Sequence, residues 1–232
     1  MGFYGRSNRL LIEQVLQKGG IDNSQIVECD LAGLVVQDAA WNHTDIRDLN
    51  AHGMAVKDSL LSGSHFYRSN FTQVQFLRTG FSQMTIDGLT LIKSSWDGCR
   101  ITQSSIKNIC MQRSKWHGVK LIASSLIDFE GLDITMDNCV VAHSLIRIGD
   151  GGGMNGFSGA RISNCIFYHC RFEGFPLRGA VMRSDVFVHC SGEIGDTMDC
   201  GNVAGIGLRG RSGFERLHGM KEARKLIEEF TS

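Results

Sequence analysis

From Ile26 to Ile146 a large apolar side chain stands at every fifth position, and the residues between are mostly polar or small. The series runs Ile26, Leu31, Val36, Trp41 and Ile46, through Phe66, Phe71, Phe76 and Phe81, to Trp96, Trp116, Leu126 and Ile146, and only Ala51 and Gly131 depart from it. Two residues before each member lies a second, smaller series that includes Ser24, Cys29, Ala39, Thr44, Ser59, Ser64 and Cys139. A period of five is neither that of an amphipathic helix nor that of a strand. Sustained over this length, it predicts a solenoid in which each repeat turns one corner and sends one side chain to the axis.

The period breaks at residues 149–159, a glycine-rich stretch, and resumes one residue out of phase at Ile162, Phe167, Phe172, Leu177, Met182 and Phe187. Ala160, Cys165, Cys170, Phe175 and Ala180 then form the smaller inward series. The stretch 149–159 reads as a loop inserted in one coil.

Thr44-Asp45-Ile46-Arg47-Asp48, Ser69-Asn70-Phe71-Thr72-Gln73 and Cys29-Asp30-Leu31-Ala32-Gly33 resemble the pentapeptide-repeat family, whose consensus is a small residue, Asp or Asn, Leu or Phe, then two polar residues. The resemblance covers roughly residues 24–190, and most repeats lack the Asp or Asn, so the repeats are degenerate. It implies an all-β solenoid, a right-handed quadrilateral β-helix in which four pentapeptides make a coil of about twenty residues. Residues one coil apart then stack, as Phe76, Trp96 and Trp116 should, and the repeats make nearly eight coils, a rod of about 37 Å.

A stacked coil exposes unpaired backbone at each end. Residues 7–18 read as a short α-helix capped by Ser7 or Asn8, with Leu10, Leu11 and Val15 on one side and Gly19-Gly20 as its stop. Residues 213–230 read as a second helix with an apolar stripe of Phe214, Leu217, Leu226, Ile227 and Phe230. In the family such a terminal helix is commonly a dimer interface, and here a homodimer helix and a monomeric cap are both open. The expected organisation is an N-terminal helical cap over 1–20, the β-helix over 21–190 with its insertion at 149–159, and a Gly-rich connector plus helix over 191–232.

Lys plus Arg and Asp plus Glu are both 24, giving zero formal charge, so no bulk field draws the chain to nucleic acid or to an anionic membrane. No window approaches a membrane span and no apolar leader opens the chain. The eight cysteines have no compact paired spacing. A cytoplasmic protein with reduced thiols is therefore expected.

Gly205-Ile206-Gly207-Leu208-Arg209-Gly210 matches a dinucleotide fingerprint literally, but the rest of a nucleotide-binding fold has no room before Ser232. His169 and His189 should stack outside, and Cys170 and Cys190 inside, in directions that diverge from any shared metal. Asp185 falls at an inward position, where an unpaired carboxylate is costly, and suggests a loosening coil. No catalytic constellation, cofactor site or metal site is expected, and the chain is read as a non-enzyme.

Sorting the surface by register leaves two contrasting faces. One is densely charged with mixed sign, from Asp45, Arg47 and Asp48 to Arg147. The other, centred on Trp41, Leu61, Phe81, Ile101, Leu121 and Val141, is small and weakly polar, with Arg100 and Lys120 as its formal charges. His43, Arg100, Gln103, Lys120, Ile122 and His143 mark it as a candidate interaction face for an unidentified protein partner. The expected function is a non-catalytic interaction scaffold or adaptor. The alternatives are a DNA-mimic regulator of gyrase or topoisomerase, as the family resemblance suggests, and a metal-binding or enzymatic protein using the Gly-rich loops.

Overall fold

In the computed structural model the described residues are 2–5, 8–149, 155–193, 195, 199–201 and 204–206. They build a β-solenoid of three parallel sheets and a fourth wall of turns. The first sheet has ten strands, centred on Phe3, Ile26, Ile46, Phe66, Ile86, Ile106, Leu126, Ile146 and Phe172 and ending at Ser191–Gly192. The second sheet has nine, from Val35–Gln37 to Asp199–Gly201, and the third has ten, from Gly20–Asp22 to Ala204–Ile206. On the fourth wall isolated bridges join most successive coils, among them Asp30 to Asn50 and Asn50 to Asn70, and Ile109–Cys110 pairs with Phe129–Glu130 as a short ladder.

The five-residue period works because, on three of the four walls, each repeat spends three residues on a strand and the rest on a corner. The central strand residue and the residue two before it point inward; the rest point out. Two residues after the centre the backbone turns through the left-handed region: Asn23, Asp38, His43, Asp48, Asp58 and their non-glycine counterparts have φ between 44° and 59°. Asn, Asp and Gly reach that region with least strain, which explains their frequency there. Inward serines finish the corners. Ser59 Oγ accepts the Ala39 N–H at 3.2 Å and donates to the Lys57 carbonyl at 2.7 Å, and Ser64 Oγ accepts the Thr44 N–H at 3.0 Å.

The core is one continuous column. Phe76, Trp96 and Trp116 stack in register in the second sheet, with ring centroids 4.4 Å and 5.9 Å apart. Around them Phe66, Phe71, Phe76 and Phe81 line a single coil, each within about 5–6 Å of the next.

The coil count exceeds the expected eight because pairing continues at both ends. Gly2–Tyr4 lies parallel to Gln25–Val27 and buries Phe3, and three short strands follow residue 190. Helix α1, Arg9–Gln17, sits between the first strand and the first full coil. Its buried residues are Ile12 and Leu16, with Val15 partly buried against the core, whereas Leu10 and Leu11 are 73% and 43% exposed. The packing side is therefore rotated from the expected Leu10/Leu11 side. Asn8 takes the N-cap position without a side-chain cap bond; its Nδ2 donates instead to the Tyr4 carbonyl. Arg9 Nη1 donates to the Ala32 carbonyl at 2.8 Å, so the helix satisfies backbone at the end of the solenoid.

The insertion is shorter than residues 149–159. Ile146 pairs with Phe172 and Met136 with Ile162, a separation of 26 in each case, against 20 in the coils before, so six residues are extra. The coil has resumed by Gly156, which bridges Glu130, and Phe157 is fully buried beneath Gly131. Phe129 and Phe157, 4.7 Å apart, fill the space Gly131 leaves. A Cβ on Gly131 would meet the Phe157 ring at 3.1 Å and the Gly156 carbonyl at 3.0 Å. The expectation that Phe175 points inward is overturned: it has φ 57°, is 46% exposed, and the neighbouring Pro176 is buried in its place.

Asp185 overturns the expectation of a loosening coil. Strands Val181–Arg183 and Val186–Val188 are in register on either side of it and the carboxyl is fully buried. Its oxygens take the role that serine has higher up the column.

Candidate interaction surface

Of the six residues marked in the sequence, Arg100, Lys120 and Ile122 lie on strands of the third sheet and the other three border it. Arg100 pairs directly with Lys120 on adjacent strands, and Thr102 with Ile122. His43, Gln103 and His143 stand at left-handed corners beside the same sheet, with φ of 49°, 51° and 50°. They belong to different coils and do not converge on a point, so the arrangement is a strip and not a pocket.

Along that strip the chemistry changes. The upper coils carry Ala40, Asn42, the exposed Leu60, Ser62, Gly80 and Ser82; the middle carries Arg100 and Lys120; and in the lower coils the outward Val140, Ala142 and Ile166 are buried and Tyr168 half-buried. Val140, Ala142 and Ile166 form an apolar cluster separate from the core, with Ile122 and Tyr168 packed against it.

Beside this apolar zone runs a ladder of three imidazoles. His143 and His169 are stacked with centroids 5.2 Å apart, and His169 and His189 at 5.1 Å, while the Tyr168 ring meets His143 and His169 edge-on. Desolvation, and then repulsion from His143 and His189, lower the pKa of His169. The expected pair of His169 and His189 is thus a triplet. His143 escapes a search for twenty-residue spacings because the six inserted residues put it 26 before His169.

The first sheet is the contrasting face. Its charges are matched locally: Arg47 to Asp45 at 2.7 Å, Arg68 to Asp48 at 2.9 Å and Lys107 to Asp87 at 3.2 Å. Hydrogen bonds from Arg68 hold the Asp48 carboxyl below its usual range, and Arg78 does the same for Asp58. The depression lined by Arg47, Tyr67, Arg68 and Asp87 lies among these pairs, with the Arg47 guanidinium over the Tyr67 ring at 5.3 Å.

The cysteines serve the core. Cys29, Cys99, Cys139, Cys165, Cys170 and Cys190 are buried free thiols. Several donate to backbone, as Cys170 Sγ does to the Val141 carbonyl at 3.1 Å. Burial pushes the Cys99 thiol up to about 11, far from a reactive thiolate. Among the described residues no group of three or more His, Cys, Asp or Glu is placed to hold a metal ion.

Gly205 and Ile206 of the fingerprint-like stretch lie in the last strand of the third sheet, paired with Phe187 and Val188. The remainder of that stretch, and the candidate helix residues Phe214, Leu217, Leu226, Ile227 and Phe230, lie outside the described residues. No described helix is long and apolar enough to cross a membrane.

No family model matches the sequence, and no curated protein matches it. Solved structures do. HetL from the cyanobacterium Nostoc sp. strain PCC 7120, a pentapeptide repeat protein involved in heterocyst differentiation regulation, is 11% identical, covers 80% of this chain and 86% of its own, and has a TM-score of 0.44. Full-length QnrB1, a plasmid-mediated fluoroquinolone resistance protein, is 12% identical, covers 92% of this chain and 100% of its own, and has a TM-score of 0.39. The structural neighbours thus include pentapeptide repeat proteins, the family the five-residue pattern resembles.

Proposed function

We propose that this protein is a non-catalytic interaction scaffold, and that the outer face of its third sheet is the docking surface. The observation that carries the reading is the contrast between faces. On the first sheet the carboxylates and guanidinium groups neutralise one another at short range, which leaves little unmatched field to attract a partner. On the third sheet Arg100 and Lys120 stand side by side, beside upper coils of small polar residues and the exposed Leu60. That sequence of surfaces suits a protein partner offering a carboxylate opposite the two cations.

The DNA-mimic alternative fits less well. A mimic must present an unneutralised phosphate-like field. Here Asp45, Asp48, Asp58 and Asp87 each face an arginine or lysine.

Affinity capture from a lysate of the native host, with wild type and the Arg100→Glu/Lys120→Glu variant side by side, tests the proposal. The expected result is a partner retained by wild type and lost by the variant. Partners retained equally by both would remove the third sheet from the account, and recovery of gyrase would restore the mimic reading.

A further inference from the structure

At the corner between the third and first sheets, one backbone hydrogen bond ties each coil to the next. The residue there is in left-handed backbone and donates its N–H to a carbonyl of the coil below: Gln83 to Thr102 at 3.0 Å, Gln103 to Ile122 at 3.1 Å, His143 to Tyr168 at 2.8 Å and His169 to Val188 at 2.8 Å. The backbone repeats down the column, but the side chains do not. Near the lower end three exposed imidazoles lie one above another, 7° from parallel between His143 and His169 and 28° between His169 and His189, with centroids 5.2 Å and 5.1 Å apart. The rung spacing of about 4.8 Å enforces that closeness.

Neutral rings tolerate the stack and charged rings do not, since neighbouring imidazolium groups would stand inside the Debye length of about 8 Å. Among the described residues no carboxylate is paired with any of the three. The third sheet brings Tyr168, whose ring meets His143 and His169 edge-on. The first sheet brings Arg171, engaged by Glu173 at 2.6 Å, with Arg147 one rung above that glutamate. On the inner side lie the buried thiols of Cys170 and Cys190 and the carboxyl of Asp185. His43, at the top of the same column, differs from the ladder because it faces Asp22 at 3.6 Å.

We propose that His143, His169 and His189 form an acid-sensitive catch on the lower coils: protonation of the stacked rings releases the corner bonds of His143 and His169, while the upper corners keep theirs. The sign follows from the stack. Desolvation, and then repulsion from its two neighbours, hold the His169 pKa below 6.5. The closed corner therefore binds fewer protons than the opened one, so its stability is full above pH 6.5 and is lost as pH falls below it. Asp185 acts in the opposite sense, its contribution being lost as pH rises from 3.8 through about 6. The catch belongs to the free chain and requires nothing of Arg100, Lys120 or a partner.

Amide hydrogen exchange resolved by NMR on the full-length free chain, at pH 7.5 and pH 5 and corrected for intrinsic rates, tests it in wild type and His169→Asn. Asparagine already holds the same corner at position 23, so the backbone accepts the substitution. In wild type the protection of the His143 and His169 amides should fall at least about tenfold at pH 5, while the Gln83 and Gln103 amides keep theirs. In His169→Asn the remaining rings stand about 10 Å apart, and the His143 amide should stay protected at pH 5. Asp185 is present in both chains, so its opposite response cancels in the comparison. In a second variant, His143→Asn/His189→Asn, the His169 ring should titrate at higher pH than in wild type. An equal fall in wild type and His169→Asn, an equal fall at Gln83 and Gln103, or a His169 titration unmoved by the loss of both neighbours would each overturn the proposal.

Discussion

Asp185 accepts the backbone N–H of Cys165 at 2.8 Å through one carboxyl oxygen and that of Arg183 at 3.0 Å through the other. The first of these bonds is the one Ser59 makes to Ala39 six coils above in the same column, so the carboxyl stands where a hydroxyl completes the corner there. Burial nevertheless dominates and raises its pKa from 3.8 to about 6, the two N–H bonds pulling the other way.

That shift makes stability depend on pH. A carboxyl with a raised folded-state pKa binds more protons folded than unfolded between 3.8 and about 6. Its contribution is therefore most favourable below 3.8 and is lost as pH rises through the window, a loss of about 3 kcal/mol at neutral pH. Asp185→Ser should remove this term. Urea denaturation at pH 5 and pH 8 should show the wild type losing stability relative to the variant as pH increases; parallel behaviour would mean Asp185 titrates normally.

Gly131 and Phe157 behave as a matched pair. Gly131→Leu restores the family-like centre but collides with the Phe157 ring, and should destabilise by about 1–3 kcal/mol. Phe157→Ala should cost about 3–5 kcal/mol. In the double variant Gly131→Leu/Phe157→Ala the losses should be less than additive, since leucine then enters the vacated space. Thermal denaturation of the three variants checks this.

Ala123 has φ 50° at a corner where other coils place Gly63 and Gln83. Ala123→Gly should stabilise by up to about 1 kcal/mol, because relief of left-handed strain exceeds the added freedom of the unfolded chain. A higher midpoint in guanidinium with an unchanged slope is the expected readout.

Among the tryptophans, Trp96 Nε1 donates to Ser94 Oγ at 3.1 Å, whereas the buried Nε1 atoms of Trp41 and Trp116 have no partner. Replacing Trp116 by Phe discards an unsatisfied donor, and replacing Trp96 by Phe discards a bond. The Trp96→Phe variant should be the less stable of the two by about 1–2 kcal/mol, measured by urea denaturation.

Much of the architecture was legible because it rests on a period. The stacking of Phe76, Trp96 and Trp116 follows from a spacing of twenty, and so does the placement of Arg100 beside Lys120. What escaped was whatever the period does not govern. Phe157 sits amid glycines and looks like loop, yet its ring fills the gap at Gly131. Phe175 fits the repeat, yet the backbone around Gly174 and Pro176 turns it outward. Helix α1 buries Ile12 and Leu16 because its orientation is set by the end of the core, which a helical wheel does not contain. On the candidate face the six marked residues were readable by register. The histidine triplet and the closed patch around Ile166 were not, because both depend on how six inserted residues re-register the lower coils.

The most direct test of the docking face is an exchange footprint of the complex with the captured partner, compared with the free chain. The account expects slowed exchange concentrated on third-sheet strands around Arg100–Thr102 and Lys120–Ile122, with the first sheet unchanged. Protection centred on the paired charges of the first sheet, with the third sheet unaffected, would contradict it.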